Sequence, residues 1–105
     1  MEEYRIILTP KARRDLKGIA HHIARDNPER ALSYIIELQQ YLEKVLSVFP
    51  CSGRLYQHIN NKEVRSIPYQ DYVCIYNIDE RKKHLNIVHV FHAARDKNRI
   101  LKTIK

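Results

Sequence analysis

Seven consecutive residues, Tyr72-Val73-Cys74-Ile75-Tyr76-Asn77-Ile78, carry one polar side chain among them. A run this apolar and this short fits a strand covered on both faces rather than an amphipathic helix. A buried central strand needs neighbours, and the flanking sequence supplies them. Val64 to Pro68 precedes it, a short run with poor alternation that reads as an edge strand carrying a proline. Leu85 to His92 follows, with Ile87, His89 and Phe91 alternating against Val88, Val90 and His92. Tyr69-Gln70-Asp71 and the charged stretch from Asp79 to His84 read as the connecting turns. The last third of the chain is therefore a meander of three strands, and the rest must cover it.

The first half has the pattern of that cover. Tyr4 to Leu8 is a short run of strand formers that stops at Thr9-Pro10, a capping residue followed by a proline suited to the first helical position. Ala12, Leu16, Ile19, Ala20 and Ile23 then recur at three- and four-residue steps, so a helix runs to about Asp26 with Lys11, Arg13, Arg14 and Lys17 outside. Asn27-Pro28 repeats the cap-plus-proline signal and opens a longer helix over about residues 28–48. Its inner stripe is Ala31, Ile35, Leu38, Leu42, Val45 and Phe49, widened by Leu32 and Leu46, with Tyr34 and Tyr41 on a flank. The short connection predicts an antiparallel helical hairpin. Pro50-Cys51-Ser52-Gly53 breaks the second helix, and the polar stretch to Lys62 reads as a loop. Lys97 to Lys105 is a short basic tail. The predicted class is α+β: an N-terminal strand and a helical hairpin packed on a mainly antiparallel four-stranded sheet, all in one domain over residues 1–105.

The charge count narrows the partner. Nineteen Lys and Arg against 12 Asp and Glu give a net charge of +7, which suits an anionic partner as well as a solvated surface. Two cysteines, Cys51 and Cys74, make no disulfide framework or zinc site. No His, Cys or carboxylate set has metal-ligand spacing, and no glycine-rich phosphate loop is present, so neither metal nor cofactor is expected. The opening MEEYRIIL does not read as a signal peptide, and no segment reaches the ~20 apolar residues of a membrane span. A cytoplasmic protein without membrane contact is the expectation.

What chemistry the residues offer centres on Arg54, Arg65, His92 and Arg95. Metal-free RNA cleavage needs a base, an acid and cations around a phosphate, and a histidine with arginines can supply those parts. Each has a structural reading too: His92 as a hydrogen-bonded strand-end histidine, Arg95 as the partner of a nearby acid. Arg65 fits a charge that protects an edge strand. Tyr69, Tyr72 and Tyr76 read more readily as packing residues than as a base-stacking platform.

Several short motifs, in order, carry a resemblance that spans nearly the whole chain. They are Leu8-Thr9-Pro10-Lys11-Ala12 with Asp15-Leu16, Phe49-Pro50, Gly53-Arg54, Val64-Arg65-Ser66-Ile67-Pro68, Tyr72 to Tyr76, and Val90-Phe91-His92-Ala93-Ala94-Arg95-Asp96. With these the chain resembles the RelE/ParE superfamily of toxins from type II toxin–antitoxin, or plasmid-stabilisation, systems. The resemblance implies a growth-inhibiting toxin held inactive in an oligomeric complex by a cognate acidic antitoxin. It leaves two branches. RelE-like members are ribosome-dependent mRNA endoribonucleases, which here would use Arg54, Arg65, His92 and Arg95. ParE-like members catalyse nothing themselves and poison DNA gyrase. The alanine after His92, where a nuclease would place a tyrosine, and the sparse lysines of the 50–62 segment favour the ParE branch. On that branch the target-binding candidates are Arg65, His92, Arg95, Lys97 and Arg99.

Overall fold

A computed structural model describes residues 3–95. Among these residues the order is β1 (Arg5–Leu8), α1 (Pro10–Ala24), α2 (Pro28–Leu46), a 3-10 turn (Pro50–Ser52), β2 (Arg54–Ile59), β3 (Lys62–Tyr69), β4 (Tyr72–Asp79) and β5 (His84–His92). The strands form one sheet in the order β1-β5-β4-β3-β2. β1 runs parallel to β5, and every other pairing is antiparallel.

Both cap-plus-proline signals start helices. Thr9 Oγ1 accepts from the Ala12 amide at 3.2 Å, and Asn27 Oδ1 accepts from the Arg30 amide at 3.1 Å. Each satisfies an amide that the first helical turn would otherwise leave unpaired. Thr9 also donates its hydroxyl to the Ile87 carbonyl at 2.8 Å, which ties the start of α1 to β5. The hairpin of α1 and α2 covers one face of the sheet. Ala12, Leu16 and Ile19 from α1 and Leu38, Leu42 and Leu46 from α2 meet Cys74, Tyr76, Ile78, Leu85, Ile87 and Val90 in one core. Fully burying an aliphatic side chain of this size contributes about 1.5–3 kcal/mol, so the helix–sheet seam supplies most of the fold's cohesion. Tyr34 packs edge-on against Tyr69 and Tyr72 with centroids 5.8 and 5.9 Å away, and Tyr41 lies 5.0 Å from Tyr69. These tyrosines are packing residues, and burial pushes the Tyr34 hydroxyl up to about 12.

Five expectations need correction. The 50–62 segment is not a loop: Arg54–Ile59 is a fifth strand, joined to β3 by a tight turn with Asn60 and Asn61 at φ 52° and 65°. β3 is consequently an interior strand rather than an edge. Pro68 is tolerated there because β2 pairs with β3 only as far as Ser66, so no neighbour asks for its missing amide. α2 stops at Leu46, and Phe49, placed before Pro50, takes φ −122° and ψ 74° and turns outward to 66% exposure. Leu32, expected to widen the inner stripe, also faces solvent at 69% exposure. Finally, β5 does not alternate evenly. Ile75 pairs with His89 and Tyr76 with Ile87, so Val88 is an extra, bulged residue. The bulge reverses the alternation: Leu85 and Ile87 face the helices before it, Val90 and His92 after it.

Gly53, after the 3-10 turn, is needed for its small size. Its amide donates to the Tyr76 hydroxyl at 2.9 Å, and a Cβ there would lie 2.5 Å from that oxygen and 2.8 Å from the Ser66 carbonyl. Gly53→Ala should therefore lower stability by about 1–3 kcal/mol, the usual cost of overpacking, read as a fall in the urea midpoint with unchanged slope.

Candidate functional site

The sheet has a covered face and an open one, and the predicted site residues divide between them. Arg65 stands across from Tyr76, on the helix side. Its guanidinium donates to the carbonyls of Gly53 at 2.8 Å and Cys51 at 3.4 Å, and pairs with Glu63 at 2.6 Å. Burial alone would favour losing its proton, but the Glu63 carboxylate outweighs that and holds the guanidinium more firmly charged. The adjacent Tyr76 hydroxyl donates to the Pro50 carbonyl at 2.7 Å, and burial pushes it up to about 12. Arg65 and Tyr76 together clamp the turn that ends the helical hairpin. Arg65 is an internal clasp.

Arg54 begins the edge strand β2, opposite Ser66, and so belongs to the other face. His92 ends β5 on the helix side. Its Nδ1 accepts from the amides of Ala94 at 3.2 Å and Arg95 at 3.1 Å, and its ring sits edge-on to Tyr72 at 5.3 Å. Arg95 reaches the end of α1, with Nη1 3.3 Å from His22 Nδ1. His92 and Arg95 are thus neighbours at one end of the sheet, whereas Arg54 and Arg65 lie on opposite faces further along it. Lys97 and Arg99 fall outside the described residues.

Sequence reasoning missed a second constellation. His89 lies on the open face, and its Nδ1 is 2.5 Å from Asp15 Oδ2. Asp15, on α1, reaches over the edge of β5 beyond the end of β1. The same oxygen accepts from the Val90 amide at 3.0 Å, and Lys11 Nζ lies 3.3 Å from Oδ1. Burial would raise the Asp15 carboxyl, but the His89 ring and the Val90 amide outweigh it and hold it below the ordinary carboxylate range. The two residues are 74 positions apart in the chain, and the early Asp15-Leu16 motif was the only sequence sign. His89 also borders a cavity of about 310 Å³ on the open face. Among the described residues no three His, Cys, Asp or Glu side chains are grouped to hold a metal ion, and no helix is long and apolar enough to cross a membrane.

The family model described as the ParE toxin of the type II toxin–antitoxin system parDE matches residues 6–97. The chain belongs to the ParE toxin family. This ParE-family toxin is similar in fold to solved toxin–antitoxin proteins. Against the RelBE2 complex of Mycobacterium tuberculosis the TM-score is 0.65, with 23% identity over 88% of this chain and 93% of that one. Against the chromosomal ParDE system of P. aeruginosa it is 0.69, with 17% identity over 86% and 96%. Against the archaeal RelE–RelB complex of Pyrococcus horikoshii it is 0.58, with 15% identity over 89% and 98%. At these identities the likeness is one of fold. No curated protein matches the ParE-family chain.

Proposed function

We propose that this type II toxin inhibits growth in the cytoplasm by binding and poisoning DNA gyrase, and that a cognate acidic antitoxin neutralises it in an oligomeric complex. The observation that carries the reading is the dispersal of the nuclease set. Arg65 is committed to the Cys51 and Gly53 carbonyls and to Glu63, and Arg54 and His92 belong to opposite faces. A phosphodiester cleaved at one point needs its acid, base and cations within hydrogen-bond reach of that point. The four side chains do not converge in that way, whereas a binding toxin needs only an exposed complementary surface. The net charge of +7 supports capture of an acidic antitoxin, with long-range steering of the encounter.

The contact surface proposed for the target is the end of β5 with the chain beyond it: His92, Arg95, Lys97 and Arg99. Purified toxin should inhibit gyrase supercoiling and accumulate cleaved DNA. Arg95→Ala should weaken that inhibition about tenfold without changing the melting temperature, because a rim arginine lost from an interface costs about 1–2 kcal/mol. The alternative branch, ribosome-dependent mRNA cleavage, predicts codon-positioned cuts in translated message. Cuts of that kind, with gyrase unaffected, would replace the binding reading.

A further inference from the structure

We propose that the cavity on the open face of the sheet is a binding site for a nucleotide, with a nucleoside 5′-monophosphate as the smallest complete occupant. This goes beyond the toxin reading and holds whichever macromolecule the toxin attacks. The cavity's volume, about 310 Å³, lies at the small end of the range that ligand pockets occupy, roughly 300–1,000 Å³. That is room for a base and a sugar and too little for a folded peptide.

The lining divides into three chemistries. Val64, Ile75 and Val88 form an aliphatic floor. Val64 and Ile75 are buried and lie outside the helix-side core, and the apolar surface still accessible at the floor comes from the half-buried Val88 and Ile59. Two amides, Asn60 and Asn77, stand beside the floor. Asn77 Oδ1 already accepts from Asn86 Nδ2 at 2.9 Å, which leaves the Asn77 amino group as the donor for an incoming acceptor. An apolar surface with amide groups at its margin suits the face and edge of a nucleobase. Nitrogen-bearing side chains come from three separate elements: Lys11 of α1, Lys62 at the start of β3 and His89 of β5 all line the cavity. Asp15 is the acid facing this side, and its charge is shared by Lys11 and the His89 ring, while Asp79 acts on Lys62. With Nδ1 committed to Asp15, the other ring nitrogen of His89 is the one that serves a ligand. Two lysines and a fixed imidazole make an anion end, matched to a phosphate group. The separate apolar and amide parts distinguish a nucleotide from a bare anion.

Titration calorimetry of the toxin with AMP, GMP, CMP and UMP, alongside inorganic phosphate and adenosine, tests this. At least one monophosphate should bind with Kd below about 1 mM, and phosphate or adenosine alone about tenfold or more weaker. Lys62→Glu, next to an exposed turn and far from the helix-side core, should reduce the affinity about tenfold or more with an unchanged melting temperature. Asn77→Leu should weaken the monophosphate while leaving phosphate alone unaltered. No saturation by any monophosphate overturns the proposal. So does phosphate binding as tightly as the nucleotide, or a folded Lys62→Glu variant that binds like the parent.

Discussion

Asp15→Ala should destabilise the toxin by about 3–5 kcal/mol, the largest single-residue effect the structure implies outside the aliphatic core. The carboxylate is only 15% exposed and serves three partners: the His89 ring, the Val90 amide and the Lys11 ammonium. The Val90 amide lies on β5 beyond Leu8↔Ile87, the last pair that β1 makes, so a side chain completes what the parallel strand does not. Truncation strands a buried amide and a buried imidazole at once, and unmade hydrogen bonds of this kind cost their full desolvation. Asp15→Asn can set its one amide oxygen where Oδ2 stands, keeping the acceptor that the His89 ring and the Val90 amide share and giving up the charge and the Lys11 contact, so it should cost less than half as much. Acid supplies an independent check. Because the folded carboxyl lies below its unfolded value, the unfolded chain binds the proton more readily, and stability rises with pH through that interval. The Asp15 contribution is complete above about pH 4 and is lost as pH falls further. Urea midpoints measured from pH 7 to pH 2 should show this acid slope in the parent, flattened in Asp15→Asn. Equal slopes in the two proteins would show that Asp15 does not carry it.

The second large effect is expected at Arg65. Arg65→Met retains much of the aliphatic volume and removes the donors that hold the Gly53 and Cys51 carbonyls, and it leaves Glu63 without its cation. A loss of about 2–4 kcal/mol should follow, since the carbonyls and the acid are partly buried. Arg65→Lys should recover little of it, because an ammonium cannot span two carbonyls and a carboxylate as the planar fork does. The functional consequence separates two roles. If Arg65 acts only as a clasp, Arg65→Met toxin that remains folded at low temperature should inhibit its target like the parent per folded molecule. A folded variant that has lost inhibition would return Arg65 to the target-contacting set.

The sequence showed the helical hairpin because its signals are local. Thr9-Pro10 and Asn27-Pro28 act through bonds that reach three residues, and periodic burial marks the inner faces of both helices. β2 was hidden for the opposite reason. An edge strand with Arg54, Leu55, Tyr56 and His58 exposed has no buried face to impose alternation, and a register shift between Leu55 and Gln57 breaks what alternation remains. The single-residue bulge at Val88 leaves no mark in composition, yet it decides which side chains of β5 meet the helices. At the site, the arginines were visible as residue types, but not their commitments. Arg65 looked like an edge charge because β3 looked like an edge. The His89–Asp15 pair joins the first helix to the last strand, a distance no local pattern encodes.

The pairing of β1 with β5 bears on when this toxin can come into being during its own synthesis. Arg5 stands opposite His84 and Leu8 opposite Ile87, so among the described residues the first strand finds its partner only in the last. Closing so long a loop is a late step, because its entropy cost precedes any reward from the contacts. On a translating ribosome the helical hairpin can form early, but β1 stays unpaired and Asp15 unmatched until β5 has left the exit tunnel. A message broken or stalled before the codons for residues 84–92 would yield a fragment without the sheet's second strand and without the basic end that follows it.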